Sequence, residues 1–114
     1  MAYLYQHVEI VRVLDGDTVE MSIDMGNSIK WTGKFRLYGI DTPERHGETR
    51  PAGDAAAGCL NALIAAYGVK FAETLKPDKY GRWLVKLTLG DGRDVAECLS
   101  SEGHAKAYFG GKKK

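Results

Sequence analysis

A short polar turn at residues 41–44 carries the first group of residues that could do chemistry. With Arg36 upstream, it brings one guanidinium and the carboxylates of Asp41 and Glu44 together within nine residues. The apolar residues before the turn are typical of a strand, so these groups should lie at a strand end. Asp41 and Glu44 also have the spacing of a helix capping box. The residues that follow are polar and include glycine and proline, which leaves little helix to cap. We therefore interpret the turn as part of a functional site.

Two further turns carry polar residues of the same kinds. An Asp-Gly pair at residues 15–16 is a strong hairpin signal, and a turn alone explains both residues. Asp17 follows where the chain re-enters a strand, a place where a carboxylate has no role in the hydrogen-bonded ladder. The later turn places an aromatic residue, Tyr80, between two cations, Lys79 and Arg82. The turns place Asp17 where it could converge with the acidic residues described above.

Together the turns supply three carboxylates and two guanidiniums, from Asp17, Asp41, Glu44, Arg36 and Arg82. No histidine or cysteine cluster accompanies them, which argues against zinc. Carboxylates with a backbone carbonyl suit a hard cation, calcium or magnesium. Arginine binds phosphate oxygens in a bidentate manner, and a spare carboxylate can activate a water as general base. This set predicts phosphodiester hydrolysis. Each residue alone is better explained as solvated or paired across strands, and it is their shared place at strand ends that favours the site.

Hydrophobic periodicity predicts the elements that would position these groups. Alternating apolar and polar residues indicate five strands, at residues 8–14, 19–24, 29–39, 69–75 and 83–89. Gly33 is expected to form a bulge in the third strand. Asp54 is a suitable N-cap for a helix that runs to Tyr67 and ends at Gly68. A second, short helix should end at Gly103.

The order of these elements predicts an α+β fold that is mainly β, a five-stranded OB-type barrel with two packed helices. Residues 1–109 should form one domain, whose last segment at 104–109 is extended, and residues 110–114 a flexible basic tail. Residues 45–53 are predicted to form a loop. Its composition suits a mobile substrate flap and plain solvent exposure equally well.

The composition narrows the class of protein. A net charge of +1 over 114 residues excludes a generally basic protein that coats nucleic acid, so anions must bind a local cluster. No apolar run is long enough to cross a membrane, and the N-terminus lacks the features of a secretory signal. We expect a cytoplasmic, monomeric protein, for which a phage- or plasmid-encoded origin is an option. Cys59 and Cys98 fall in separate apolar patterns and are expected to be buried hydrophobes rather than a disulfide.

Three motifs together resemble the signatures of the staphylococcal-nuclease (thermonuclease) family. They are Asp-Gly-Asp-Thr-Val at residues 15–19, Arg-Leu-Tyr-Gly-Ile-Asp-Thr-Pro-Glu at 36–44, and Asp-Lys-Tyr-Gly-Arg at 78–82. They occur in the family's order, and the resemblance extends over about residues 8–108. It implies an OB-type barrel and a calcium-dependent endonuclease that cuts DNA and RNA and leaves 3′-phosphates.

The resemblance also implies which residues bind the metal and activate water. Asp17 and Asp41 match the family's calcium ligands, and the carbonyl of Thr42 matches a further ligand. Glu44 matches the residue that orients or deprotonates the attacking water. All of these positions keep the family's residue type, whereas the segment after Glu44 departs from the family's sequence.

The remaining matches concern the substrate. By resemblance, Arg36 and Arg82 hold the scissile phosphate and stabilise its developing charge. Lys79 and Tyr80 match positions that contact the sugar-phosphate end of a nucleotide, and Tyr108 matches a tyrosine that stacks beside the base. The alternative function is a non-catalytic OB-type module that binds nucleic acid or a protein. Family relatives that only bind have lost several site residues, and this sequence keeps them.

Overall fold

The computed structural model describes residues 2–108, so the predicted tail at 110–114 and the end of the last predicted segment, Phe109, lie outside the described residues. Eight strands and two α-helices form this region: β1 (Tyr3–Tyr5), β2 (Val8–Asp15), β3 (Thr18–Asp24), β4 (Lys30–Leu37), β5 (Gly39–Asp41), α1 (Arg50–Tyr67), β6 (Val69–Pro77), β7 (Trp83–Leu89), α2 (Val95–Ser101) and β8 (Lys106–Tyr108). A 3₁₀ turn at Gly47–Thr49 precedes α1. The prediction of an α+β fold that is mainly β, with two helices, is confirmed.

Six of the strands form one mixed sheet in the order β1-β6-β7-β4-β3-β2. The pairing of β4 with β7 is parallel, and the other pairs of this sheet are antiparallel. The remaining two strands, β5 and β8, pair with each other in a small second sheet. The large sheet provides the frame of the fold, and the small sheet brings the end of the described chain back to the turn at residues 41–44.

The predicted five-stranded barrel is not clearly what the structure shows, because the sheet within residues 2–108 has six strands and is not closed, and its edge strand β1 is one that the sequence did not predict. The chain is extended from Tyr3 but breaks at residues 6–7, which separates β1 from β2. Each half then pairs with a different partner: β1 with β6 through Tyr3 and Thr74, and β2 with β3 through Val8 and Ile23. The two halves therefore lie at opposite edges of the sheet, and among the described strands no pairing closes the sheet between them.

The core lies between the inner face of the sheet and the two helices. Its largest fully buried side chains come from β3, β4, β7 and both helices. They include Met21, Phe35, Leu37, Leu60, Leu87 and Leu99. Full burial of one such side chain stabilises the fold by about 1.5–3 kcal/mol, so the strands that carry them are firmly placed. Cys59 and Cys98 are free thiols, half-buried and packed against this core. Within residues 2–108, neither helix has the length and apolar character needed to cross a membrane.

The first helix begins earlier than the sequence predicted. Thr49 occupies the N-cap position and Pro51 lies in the first turn of α1, where a missing amide hydrogen costs nothing. The prediction that Asp54 caps the helix is therefore wrong, and residues 45–53 are not one continuous loop. The predicted end is correct: Gly68 has φ of 66° and donates its amide hydrogen to the carbonyl of Ile64 at 2.8 Å.

Gly33 does not form the predicted bulge. It pairs in regular register with Met21, and the ring of Trp31 lies over it. A methyl group at this position would meet the Trp31 ring. The glycine is thus explained by the close approach of an aromatic side chain, which also contacts Phe35 edge-on at 5.3 Å between ring centroids.

Candidate active site

The register of three strands brings the predicted site residues to one end of the sheet. Thr18, the first residue of β3, pairs with Arg36 near the end of β4, and Arg36 pairs with Leu84 near the start of β7. Asp17 and Arg82 directly precede β3 and β7. Residues that are 18 or more positions apart in the chain therefore meet at this end.

A cavity of about 820 Å³ opens at this end of the sheet. Its walls include every residue to which the sequence assigned a role, namely Asp17, Arg36, Asp41, Thr42, Glu44, Lys79, Tyr80, Arg82 and Tyr108. The structure thus brings all of these positions into one place. Their individual roles stay predictions.

Two carboxylates share one guanidinium at the base of this site. Nη2 of Arg36 donates to Oδ2 of Asp17 at 3.3 Å and to Oδ1 of Asp41 at 3.1 Å. Asp17 is buried and also accepts hydrogen bonds from the Thr42 amide at 3.2 Å and the Thr18 hydroxyl at 3.1 Å. Because every group in this network is held by another, Arg36 and Asp17 have little freedom to reorient.

The donor set of this network fits a hard cation. Asp17 and Asp41 converge on the same nitrogen of Arg36, so their oxygens face a common point. Oγ1 of Thr42 is a buried oxygen that has no hydrogen-bond partner within the described residues. Residues 2–108 hold no group of three or more acidic, histidine or cysteine side chains arranged for a metal. Two carboxylates and neutral oxygens suit a hard cation, calcium or magnesium, which would take its other ligands from water or substrate.

Arg82 is fixed by its own acidic partner. Asp78 accepts from Nε and Nη2 of Arg82, both at 2.9 Å, through one oxygen. Its other oxygen accepts the backbone amides of Tyr80 and Arg82 at 2.9 Å each. This arrangement closes the turn and holds the guanidinium by the edge that carries Nε and Nη2. The Cζ atom of Arg82 lies 5.5 Å from the centroid of the Tyr80 ring. The exposed Tyr80 ring also faces Nζ of Lys79 at 5.3 Å.

The Glu44 carboxylate lies at the rim of the cavity. Its side chain is 62% exposed, and its Oε2 atom lies 3.0 Å from Nε2 of His46. The capping-box alternative for Asp41 and Glu44 is not supported, since the N-cap of α1 is Thr49. The structure therefore places Glu44 beside the buried network of Arg36 without joining it to that network.

A family model described as staphylococcal nuclease homologue matches residues 34–114 of this chain. The chain belongs to the staphylococcal nuclease family. The match contains the second and third motifs, at 36–44 and 78–82, while the first motif at 15–19 lies before it. The family resemblance read from the three motifs is confirmed.

Individual relatives agree with this family. A protein named uncharacterized endonuclease from Escherichia coli O157:H7 is 31% identical over 102 residues, which cover 90% of this chain and 61% of that protein. The thermonuclease of Staphylococcus hyicus is 30% identical over 108 residues, covering 91% and 60%. A protein named succinoglycan biosynthesis protein ExoI from Rhizobium meliloti is 28% identical over 100 residues, covering 82% and 48%. The chain spans about three fifths of the first two relatives and about half of the third.

Sequence reasoning missed two residues that line the same cavity of this staphylococcal nuclease family member. Asp15, which the hairpin signal explained away, faces it together with Asp17. Burial, followed by the neighbouring Asp17 and Glu44 carboxylates, raises the pKa of Asp15 above its usual value. Tyr38 lines the cavity and carries Nζ of Lys86 at 5.8 Å from its ring centroid. Tyr38 lies two positions from Arg36 in the strand that the sequence predicted at 29–39, and alternate strand residues share a face, which is the signal that could have revealed it. Asp15 belongs to the Asp-Gly turn signal, and no comparable pattern singles it out.

The strand β8 explains how Tyr108 reaches the site. It pairs with β5 so that Tyr108 lies opposite Gly39 and Lys106 lies opposite Asp41. The Tyr108 ring then stands 5.3 Å from Cζ of Arg36. The aromatic ring covers one face of the guanidinium, which is a favourable cation–π arrangement.

The ion pair between Asp78 and Arg82 predicts a pH-dependent contribution to the stability of the fold. Desolvation acts to raise the pKa of Asp78, but hydrogen bonds from the Tyr80 and Arg82 amides and the Arg82 charge lower it below the usual 3.8. A carboxyl whose pKa is lowered on folding stabilises the protein above its unfolded pKa and loses this contribution as pH falls through the folded value. We expect Asp78→Asn to have a lower free energy of unfolding than wild type in urea titrations at neutral pH. The difference in free energy should shrink as the pH falls below 3.8. A difference that does not change with pH would contradict this.

Proposed function

We propose that this chain is a calcium-dependent endonuclease that hydrolyses the phosphodiester bonds of DNA and RNA and leaves 3′-phosphates. The observation that carries the proposal is the single cavity lined by Arg36, Arg82, Asp17 and Asp41, which come from separate segments of the chain. Two relatives are named an endonuclease and a thermonuclease, and these names support the same activity.

In this proposal the acidic pair holds the cation. Asp17 and Asp41, with an oxygen of Thr42, would bind calcium. When bound, calcium supplies Lewis-acid stabilisation of negative charge on the phosphate. The same two carboxylates keep Arg36 in place through its Nη2 atom. Metal binding and the placement of this arginine are therefore coupled in one network.

The two arginines and Glu44 would carry out the steps at the phosphate. Arg36 and Arg82 approach from different strands and can donate to different phosphate oxygens, where charge builds up during the reaction. Glu44 would accept a proton from the attacking water. The new bond joins the water oxygen to phosphorus while the P–O5′ bond breaks, and the 5′-oxygen takes up a proton as it leaves. The product keeps its phosphate on the 3′ side.

The residues at the cavity wall would hold the nucleotide. Tyr80 is 72% exposed, and its ring centroid lies 5.3 Å from Nζ of Lys79 and 5.5 Å from Cζ of Arg82, so it offers an aromatic surface with two cations beside it. The Tyr108 ring lies against the guanidinium of Arg36. Aromatic surfaces next to cations bind single-stranded nucleic acid through stacking and phosphate contacts, with little dependence on sequence.

One experiment separates cleavage from simple binding. Purified protein is incubated with supercoiled plasmid and calcium, and the same reaction is run with an excess of chelator. Loss of supercoiled DNA that the chelator abolishes is the expected result, and 3′-phosphate ends are then assayed on a labelled oligonucleotide. DNA that stays intact but migrates more slowly would refute the enzyme and identify a nucleic-acid-binding module.

Calcium binding should require both carboxylates of the buried network. Asp17→Asn and Asp41→Asn keep the side-chain shape but remove one charge each, so each should weaken calcium binding at least about tenfold, a loss of ~1.4 kcal/mol. Isothermal calorimetry on the protein without nucleic acid measures this. Asp91→Asn is the matched control, because Asp91 also pairs with an arginine but does not line the cavity. Unchanged affinity in both network variants would place the calcium elsewhere.

A further inference from the structure

The segment that carries Glu44 is attached to the rest of the fold by a residue that the family motifs do not include. We propose that Arg45 is a positioning residue, which fixes the main chain at Glu44 by joining it to the end of β2 and to α1. The inference rests on the proposed function, in which Glu44 accepts the proton of the attacking water. Arg45 itself does not line the cavity and acts through its neighbour.

A single guanidinium makes both attachments. Nε of Arg45 donates to Oδ1 of Asp54 in α1 at 2.8 Å, and Nη1 donates to the carbonyl of Leu14 in β2 at 3.1 Å. Leu14 directly precedes the turn that carries Asp15 and Asp17. The planar fork of arginine can serve two acceptors at a fixed angle, which a lysine cannot do. Arg45 therefore links the segment with the proposed base to the turn with a proposed calcium ligand.

The other side of the same segment is packed tightly on the start of α1. The hydroxyl of Thr49 donates to the carbonyl of Glu44 at 2.8 Å and to that of His46 at 3.1 Å. A side chain at Gly53 would clash with the carbonyl group of Glu44. These contacts hold the main chain against the helix, but none of them reaches β2. Among the described contacts of this segment, the link to β2 is the bond from Arg45 to Leu14.

Because the Glu44 side chain is largely exposed, the position of its carboxylate depends on the position of the main chain. Its carboxylate is 62% exposed, and its partner His46 is more exposed still and lies on the same segment. The pair can therefore move as a unit if the segment moves. A misplacement of a reacting group by about 1 Å can cost on the order of 10²-fold in rate. Loss of the attachment to β2 should thus reduce the rate of the chemical step and leave substrate binding largely intact.

Arg50 provides a matched control. Its Nε atom pairs with Oδ2 of the same Asp54 at 3.5 Å, and its side chain is 68% exposed. Arg50→Ala and Arg45→Ala remove the same charge and a partner of the same carboxylate, but Arg45→Ala alone removes the bond to Leu14. Arg45→Lys keeps the charge near Asp15 and loses the two-acceptor geometry, which separates an electrostatic effect from a positional one.

The first test needs no activity. Backbone ¹⁵N order parameters of residues 44–49 are measured by NMR in wild type, Arg45→Ala and Arg50→Ala. We expect lower order parameters in this segment for Arg45→Ala, because the segment loses its attachment to β2, and near-wild-type values for Arg50→Ala. Equal order parameters in the two variants would overturn the attachment, whatever the protein catalyses.

The second test asks whether Arg45 acts through Glu44. In single-turnover cleavage of a short oligonucleotide, Arg45→Ala and Arg45→Lys should lower the rate about 10- to 100-fold with little change in KM, whereas Arg50→Ala should not. In a Glu44→Gln background, Arg45→Ala should cause no further loss. A full multiplicative loss would show that Arg45 acts independently of Glu44. A wild type that cleaves nothing refutes the proposed function, and an active wild type with equally active Arg45 variants refutes this inference alone.

Discussion

Arg36→Lys and Arg82→Lys should each lower the rate of cleavage by ~10³–10⁵, the range found for arginines that stabilise phosphoryl-transfer transition states. Arg36 donates from one nitrogen to Asp17 and Asp41, and Arg82 is held side-on by two hydrogen bonds to Asp78. Both guanidiniums are thus oriented before substrate binds. Lysine keeps the charge but offers a single point without the planar fork.

The measurement is single-turnover cleavage of a short oligonucleotide at saturating calcium, with circular dichroism and thermal unfolding to verify the fold. Arg93→Lys is a close control, since Arg93 pairs with Asp91 at 2.7 Å and lies 4.7 Å from the centroid of the Tyr67 ring, away from the cavity. The control should cleave like wild type. If the arginines only attracted the substrate by charge, the lysine variants would lose almost nothing. Near-normal rates in both would therefore reject the phosphate-binding assignment.

Glu44→Gln should lower turnover by ~10²–10⁴, the usual contribution of a positioned general base, with a modest change in nucleotide binding. Glutamine keeps the size of the side chain and its ability to accept a hydrogen bond, but it cannot take the proton of the attacking water. Turnover and nucleotide affinity are measured separately, by cleavage under single-turnover conditions and by calorimetry with a nucleotide.

Glu48→Gln is the matched control for this substitution. Glu48 is an exposed carboxylate in the 3₁₀ turn of the same segment, and it does not line the cavity. Removing its charge changes the net charge of the segment by the same amount as Glu44→Gln. A Glu44 variant that turns over within about threefold of wild type, far less than a general base contributes, would leave Glu44 as a surface carboxylate paired with His46.

The packing of the strands explains how the site residues in these predictions are held in position. The strands that end at the cavity carry fully buried side chains, including Val19 in β3, Phe35 in β4 and Val85 in β7. Closely packed side chains in the core resist small displacements, so the ends of these strands are held in place. Asp17 and Arg36 inherit that rigidity. Glu44 does not lie on a strand, which is why its placement depends on the contacts of Arg45, Thr49 and Gly53.

The sequence by itself determined the elements with a strong local pattern. The alternation of apolar residues located β7 at Trp83–Leu89 with its observed bounds, and β2 and β3 to within one residue. The three motifs identified the family and eight residues that line one cavity, and the wider resemblance added Tyr108. These features depend on residues close together in the chain, where period and turn chemistry are readable directly.

Tertiary structure alone decided the features that join distant parts of the chain. The sequence did not predict β1, which pairs with β6 through Tyr3 and Thr74 at the edge of the sheet opposite β2, and the pairing of β5 with β8 brings Tyr108 over Arg36. Nothing in the local pattern of either partner specifies the other. In the sequence, Arg45 is one of several charged residues in a polar segment. Only the fold brings Leu14 and Asp54 within hydrogen-bonding distance of two of its nitrogens. A strand pattern states which face is buried, but not which edge it pairs with, because that choice depends on packing over the whole core.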